Sequence, residues 1–167
     1  MEFSTIQGDI AAQSADALVN AAGTSLRMGS GVAGALRRAA GDDLNEAAMA
    51  KGPVDLGGVA VTDAFDLDAD YVIHAAAMPH YGDGRATEES IQEATWNSLE
   101  TADELGCESL VIPVLGTGAA DFAFNRAADL ICSEIADYKP ESLVDVRVIT
   151  YADDQYELLR KVAERTG

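Results

Sequence analysis

Short apolar runs alternate with helical patterns along almost the whole chain, and this alternation limits the possible folds more than any single motif. EFSTIQG (2–8) reads as a first strand and DALVNAA (16–22) as a short apolar one. Residues 31–40 are helical in pattern and end at Gly41, a glycine where helices commonly terminate. DDLNEAAMAK (42–51) opens with two acids and predicts a second helix. GGVAVTDAF (57–65) and DYVIHAAA (70–77) read as strands. A helix is predicted over 87–106, with Thr87 and Ser90 offering capping hydroxyls and Ile91, Ala94, Leu99 and Leu105 along one face. SLVIPVL (109–115) is a continuous apolar run, the pattern of a strand buried on both faces. NRAADLICSEIADY (125–138), LVDVRVITY (143–151) and DDQYELLRKVAERT (153–166) read as helix, strand and helix. Strands separated by helices imply a largely parallel sheet covered on both faces. Ligands of such sheets bind beyond the carboxyl ends of the strands. The loop after 16–22, the loop after 109–115 and the end of 143–151 therefore meet at the expected binding mouth.

The chain has 167 residues, enough for one domain (1–167) with a full core. It contains no run of about 18 apolar residues, which predicts no membrane span. Its N-terminus, MEFSTIQGDI, has no basic start followed by an apolar stretch, so no secretory leader is expected. Cys107 and Cys132 lack metal-type spacing and read as buried or free thiols. No metal and no cofactor are expected, and the default location is the cytoplasm. The charge balance is extreme: 29 Asp and Glu against 11 Lys and Arg, or −18. Such a surface repels nucleic acid duplexes and anionic membranes. The acids run along the whole chain rather than gathering in a tail. That distribution fits adaptation to a salt-rich cytoplasm better than capture of a basic partner.

Two glycine loops carry the functional signal. In LRMGSGVAGALRRAAG (26–41), Gly29 and Gly31 immediately precede a helix. Glycine lets another group approach the backbone closely, and the first N–H groups of a helix lack partners, so the pair makes an anion site. Taken alone, the segment reads equally as a tight strand-to-helix turn without ligand. In LGTGAADFAFNRAAD (115–129), Gly116 and Gly118 repeat the arrangement after a buried strand, and Thr117 adds a hydroxyl. Two such loops can grip a diphosphate from opposite sides. Neither is a Walker A motif or a dinucleotide fingerprint.

The order and spacing of GDI (8–10), DALVNAA (16–22), GSGVAGAL (29–36), YVIHAAA (71–77), IPVLGTG (112–118) and VRVITY (146–151) resemble the macrodomain family of ADP-ribose-binding modules. The resemblance implies a three-layer α/β/α sandwich with a mixed, mostly parallel central sheet, and it places an antiparallel first strand at an edge. It implies ADP-ribose, free or carried on a protein, as the partner. Asp9 matches the acid that accepts a hydrogen bond from the adenine amino group, and Ile10 follows it beside the base. Gly29, Ser30, Gly31 and Val32 match the first phosphate loop. Gly116, Thr117, Gly118, Ala119 and Ala120, with Phe122, match the second. Tyr151 matches an aromatic that stacks on adenine. Read from the residues alone, Asp9 also suits a helical cap and Tyr151 an ordinary strand end. Asn20 is expected to bond local backbone, His74 to be a satisfied core histidine, Trp96 to pack in the core, and His80 and Arg85 to lie on the surface.

The chain departs from the family pattern where chemistry is concerned. Gly23 stands where macrodomains commonly carry an asparagine against the distal ribose, and Ala33 where hydrolytic members carry an acid. Asp121 replaces a usual glycine of the second loop and is the candidate catalytic carboxylate. RMGSG (27–31) resembles the terminal ADP-ribose glycohydrolase branch, but no lysine nucleophile stands in IHAAAM (73–78). The sequence thus favours an ADP-ribose-binding module. The alternatives are a hydrolase acting on ADP-ribose esters or 1''-phosphate derivatives at the same site, and a nucleotide-binding fold serving only as a scaffold.

Salt dependence follows from the charge. The Debye length is about 3 Å at 1 M salt and grows as salt is diluted, so carboxylate repulsion rises. The melting temperature should climb from low to multimolar potassium chloride; a flat profile would contradict salt adaptation.

Overall fold

A computed structural model describes residues 1–80, 84–117 and 122–166. The elements follow the sequence closely: β1 (Glu2–Gln7), a 3-10 turn (Ile10–Ala12), β2 (Ala17–Gly23), α1 (Gly31–Ala40), α2 (Asp42–Lys51), β3 (Val59–Asp63), β4 (Tyr71–Met78), α3 (Glu88–Glu104), β5 (Ser109–Pro113), α4 (Phe124–Asp137), β6 (Asp145–Thr150) and α5 (Asp153–Thr166). The strands form one six-stranded sheet in the order β1-β6-β5-β2-β4-β3.

The sheet is mixed, but not in the way expected. β1 runs parallel to β6, with Glu2 opposite Asp145 and Gln7 opposite Thr150. The antiparallel member is β3, paired with β4 at the other edge. The cause is chain length. The connection from β3 to β4, residues 64–70, contains no helix, whereas a parallel crossover needs a dozen residues or more.

Alternating side chains bury both faces. Leu18 and Ala22 of β2 join Leu36, Leu44, Val72 and Val111 under α1 and α2. Val19 of the same strand joins Ile73, Leu99, Ile112, Ile131 and Leu159 under α3, α4 and α5. This is the three-layer sandwich. Thr87 and Ser90 cap α3 reciprocally: each hydroxyl accepts the other residue's backbone N–H, at 3.0 and 2.8 Å. The Ser90 hydroxyl also donates to the Ala77 carbonyl at 2.6 Å, tying α3 to the end of β4. Cys107 and Cys132 are buried free thiols, and burial pushes them up to about 11 and about 12. Trp96 is not in the core: it is 37% exposed and meets Tyr138 edge-on, with ring centroids 5.0 Å apart.

A buried polar chain crosses three strands. Asn20 Nδ2 lies 3.0 Å from His74 Nδ1, and His74 Nε2 lies 2.9 Å from Thr62 Oγ1. The Thr62 hydroxyl donates to the Asp63 carbonyl at 3.0 Å, so the ring proton sits on Nε2 and Nδ1 accepts from Asn20. His74 is the satisfied core histidine that was expected. Asn20 does not bond local backbone as expected, because its register partner on β4 is His74. Its Oδ1 is buried without a hydrogen-bond partner among the described residues.

Burial lowers the His74 pKa from 6.5 to about 4. The unfolded chain takes up this proton near pH 6.5, and the fold does not until about pH 4. Stability is therefore lost as pH falls between those values, by about 3 kcal/mol for this group. His74→Gln should flatten that part of the stability curve in urea unfolding from pH 8 to 4; identical slopes for both proteins would contradict the assignment.

Candidate functional site

β2 and β5 are neighbours for only two residue pairs, Ala17 with Leu110 and Leu18 with Val111. Beyond them the strands part. The crossovers also leave this point in opposite directions, β5 leading through α4 to β6 and β2 leading on to β3 and β4 on the other side. A cleft opens at this switch point, as in other open α/β sheets. It has two lobes of about 540 and 450 Å³ that share Gly31, Val32, Val114, Thr117 and Gln155 as their common waist.

The waist is made by the two glycine turns. Gly31 starts α1 with φ of +62°, and a Cβ built there would meet nothing within 4 Å, so the open side faces the cleft. Side chains rarely adopt this left-handed conformation. The first turn of α1 lines the same space through Gly31, Val32 and Ala33, and the first N–H groups of a helix have no partner within it. Gly116 is needed for a different reason. Its φ is +83°, and a Cβ there would lie 2.6 Å from Ile91 Cδ1. Close packing on α3 thus holds Gly116 at the cleft. The Phe122 N–H closes that loop on the Gly116 carbonyl at 3.1 Å, and the Thr117 hydroxyl donates to the Val114 carbonyl at 2.9 Å. Phe122 packs against the core and is not among the lining residues, where Phe124 stands instead. Gly118, Ala119, Ala120 and Asp121 lie outside the described residues.

One lobe lies between the turn after β1 and the end of β6, and is lined by Asp9, Ile10, Val32, Ala35, Arg38 and Tyr151 among others. Asp9 caps the 3-10 turn, its Oδ1 accepting from the Ala11 N–H at 2.9 Å. A carboxylate has room for about four acceptor bonds, so this cap does not exhaust it. Tyr151 is 78% exposed, an aromatic face set beside the lobe with little of its own to pack on. Gly8 N–H donates to the Thr150 carbonyl at 3.0 Å, which holds the Asp9 turn beside the Tyr151 end of β6.

The other lobe is lined by Gly23, Arg27, Gly29, Ser30, Ala33 and His80, among others. A Cβ on Gly23 would lie 3.0 Å from the Pro79 carbonyl oxygen, so backbone fills the place of a side chain there. The His80 N–H donates to Thr24 Oγ1 at 3.1 Å and fixes that approach. His80 is exposed as expected, but it borders this lobe. Ala33 is buried. Among the described residues, no group of three or more His, Cys, Asp or Glu is placed to hold a metal ion.

Sequence reasoning did not assign Arg27, Arg38, Ala35 or Gln155 to the cleft. Ala35 and Arg38 follow Gly31 by four and seven residues, the spacing of one helix face, and that signal was available. Gln155 arrives from the first turn of α5, where its Oε1 accepts from the Thr150 hydroxyl at 3.1 Å.

The comparisons with known proteins agree with this geometry. The Macro domain model matches residues 19–131. An uncharacterized protein of Saccharolobus solfataricus is 38% identical over 167 residues, covering 97% of this chain and 92% of that protein. The macrodomain of Oceanobacillus iheyensis, solved with ADP, superposes with a TM-score of 0.86 at 25% identity over 96% of this chain and 89% of that one. The Trypanosoma brucei macrodomain, solved in complex with ADP-ribose, has the same fold at a TM-score of 0.85 and 22% identity, covering 95% of this chain and 68% of that one. By the family model matched over residues 19–131, this chain belongs to the macro domain family.

Proposed function

We propose that this chain binds ADP-ribose along the whole cleft, with adenosine in the Asp9–Tyr151 lobe, the diphosphate at the waist and the terminal ribose in the Gly23–Arg27 lobe. The observation that carries the reading is the shared waist: two glycine turns meet between two lobes whose volumes each suit part of a small ligand. Backbone N–H groups rather than lysines supply the attraction for phosphate, so a chain of −18 can still hold an anion. Asp9 accepts from the adenine amino group, and Tyr151 stacks on the base, a contact worth about 1–3 kcal/mol. The O. iheyensis macrodomain solved with ADP supports the adenosine and diphosphate parts.

Recognition fits the terminal lobe better than hydrolysis does. Gly23 and Ala33 present no functional group to the ribose, and the Pro79 backbone already fills the space at position 23. If turnover occurs, Asp121 is the carboxylate on which we expect it to depend. An ADP-ribosylated protein as partner and a cytoplasmic setting belong to the same proposal. The charge argues against a nucleic acid duplex. No helix among the described residues is long and apolar enough to cross a membrane.

Calorimetry in high salt should give one-to-one binding of ADP-ribose, tighter than AMP or ribose phosphate; no heat and no thermal shift would remove the reading. Asp9→Ala should weaken binding by about 1.5–3 kcal/mol, the loss of a charged hydrogen bond. Asp9→Asn keeps a capping side chain, so a comparable loss there separates base recognition from the cap. Gly31→Glu should lower affinity at least tenfold by filling the waist, and full affinity in that variant would place the phosphates elsewhere. Asp121→Ala should abolish any release of ADP-ribose from an automodified acceptor. Turnover that survives it would move the chemistry to other residues.

A further inference from the structure

The described lining of the terminal lobe is electrically unlike the rest of the chain. The chain carries 29 acids, yet no carboxylate is among the described residues that line this lobe. The two ionisable residues among the described lining, Arg27 and His80, are both basic. Four of the other arginines are ion-paired: Arg37 with Asp42, Arg126 with Glu88 and Asp129, Arg147 with Asp145, and Arg160 with Glu157 and Glu164. The Arg27 guanidinium has no ion pair within the described residues.

The backbone that presents Arg27 is held firmly. Leu26 has φ of +62°, unusual for a branched residue, and its N–H donates to the Gly23 carbonyl at 3.0 Å. Leu26 and Met28, on either side of Arg27, are fully buried. The Met28 N–H donates to Asn45 Oδ1 at 2.8 Å, and its carbonyl accepts from Arg37 Nη1 at 2.9 Å. Between these anchored neighbours Arg27 is exposed and lines the lobe. Such strain in a well-anchored segment is often kept where a side chain must be aimed.

We propose that Arg27, which shares the lobe's lining with His80, is the specificity-determining residue of the terminal lobe. It donates to the terminal ribose in place of the side chains absent at positions 23 and 33, and its charge disfavours a cationic group attached to that ribose. This rests on the ADP-ribose reading of the cleft. The acceptors that suit the lobe are anionic or uncharged at the point of attachment, and a guanidinium-linked ADP-ribose does not suit it.

The test is calorimetry on the full chain with ADP, ADP-ribose and ADP-ribosylarginine, for wild type, Arg27→Met and Arg27→Glu. Wild type should prefer ADP-ribose to both other ligands. Arg27→Met should keep its ADP affinity within about twofold while the advantage of ADP-ribose over ADP falls about tenfold. Arg27→Glu should shift the ratio of ADP-ribosylarginine to ADP-ribose at least tenfold toward the cationic ligand. Equal weakening of ADP and ADP-ribose in Arg27→Met would show that Arg27 acts on the diphosphate, and unchanged ratios in both variants would show no role in selection; either overturns the proposal alone. A wild-type protein that binds neither ADP nor ADP-ribose would overturn the cleft reading, and this proposal with it.

Discussion

β2 and β5 share two residue pairs and then separate, and the rest of the site depends on that separation. Both strands are buried in the middle of the sheet, and both end in a glycine turn. Because the crossovers leave in opposite directions, nothing in the sheet bridges the gap between their carboxyl ends. The N-terminus of α1, where the helix dipole favours an anion, therefore lies at a space with a strand end on each side. Gly31 keeps that space open, and Gly116 lets the backbone at that position settle onto Ile91. One turn is glycine for room and the other for packing.

Electrostatics separates the cleft from the surface around it. Long-range repulsion from an excess of 18 negative charges would weaken any anion site built from side chains alone. Backbone N–H donors avoid the problem, since they carry no net charge and are fixed by the fold. The ionisable groups lining the two lobes then act locally: Asp9 as an acceptor at the adenosine end, Arg38 near it, and Arg27 and His80 at the terminal end. A ligand that is anionic in its middle, donating at its base and hydroxylated at its far end matches this distribution.

Much of the fold was legible because its signals are local. Gly41 after an apolar helical face, Thr87 and Ser90 at the start of α3, and the unbroken apolar run of β5 each specify their element without help from elsewhere. Asp9 and Tyr151 were placed through the order of motifs along the chain, and they do line one lobe together. What was missed depends on distant partners. Asn20 meets His74, 54 residues away, and nothing near either residue signals that bond. The direction of β1 is set by a partner strand at the other end of the chain, while the short connection that makes β3 antiparallel was visible in the sequence and not used. Trp96 read as core from its residue type, yet it sits where α3 meets Tyr138 at the surface. Arg27 was passed over because a charged residue in a polar turn looks ordinary until its buried neighbours are known.

The central claim is that one ligand spans both lobes through the shared waist. Amide-resolved NMR during an ADP-ribose titration tests it most directly. The account predicts that signals of Ile10, Gly31, Val32, Thr117 and Tyr151 move together with Gly23 and Arg27, all at one-to-one stoichiometry. Perturbation confined to a single lobe, or centred away from the parting of β2 and β5, would contradict it.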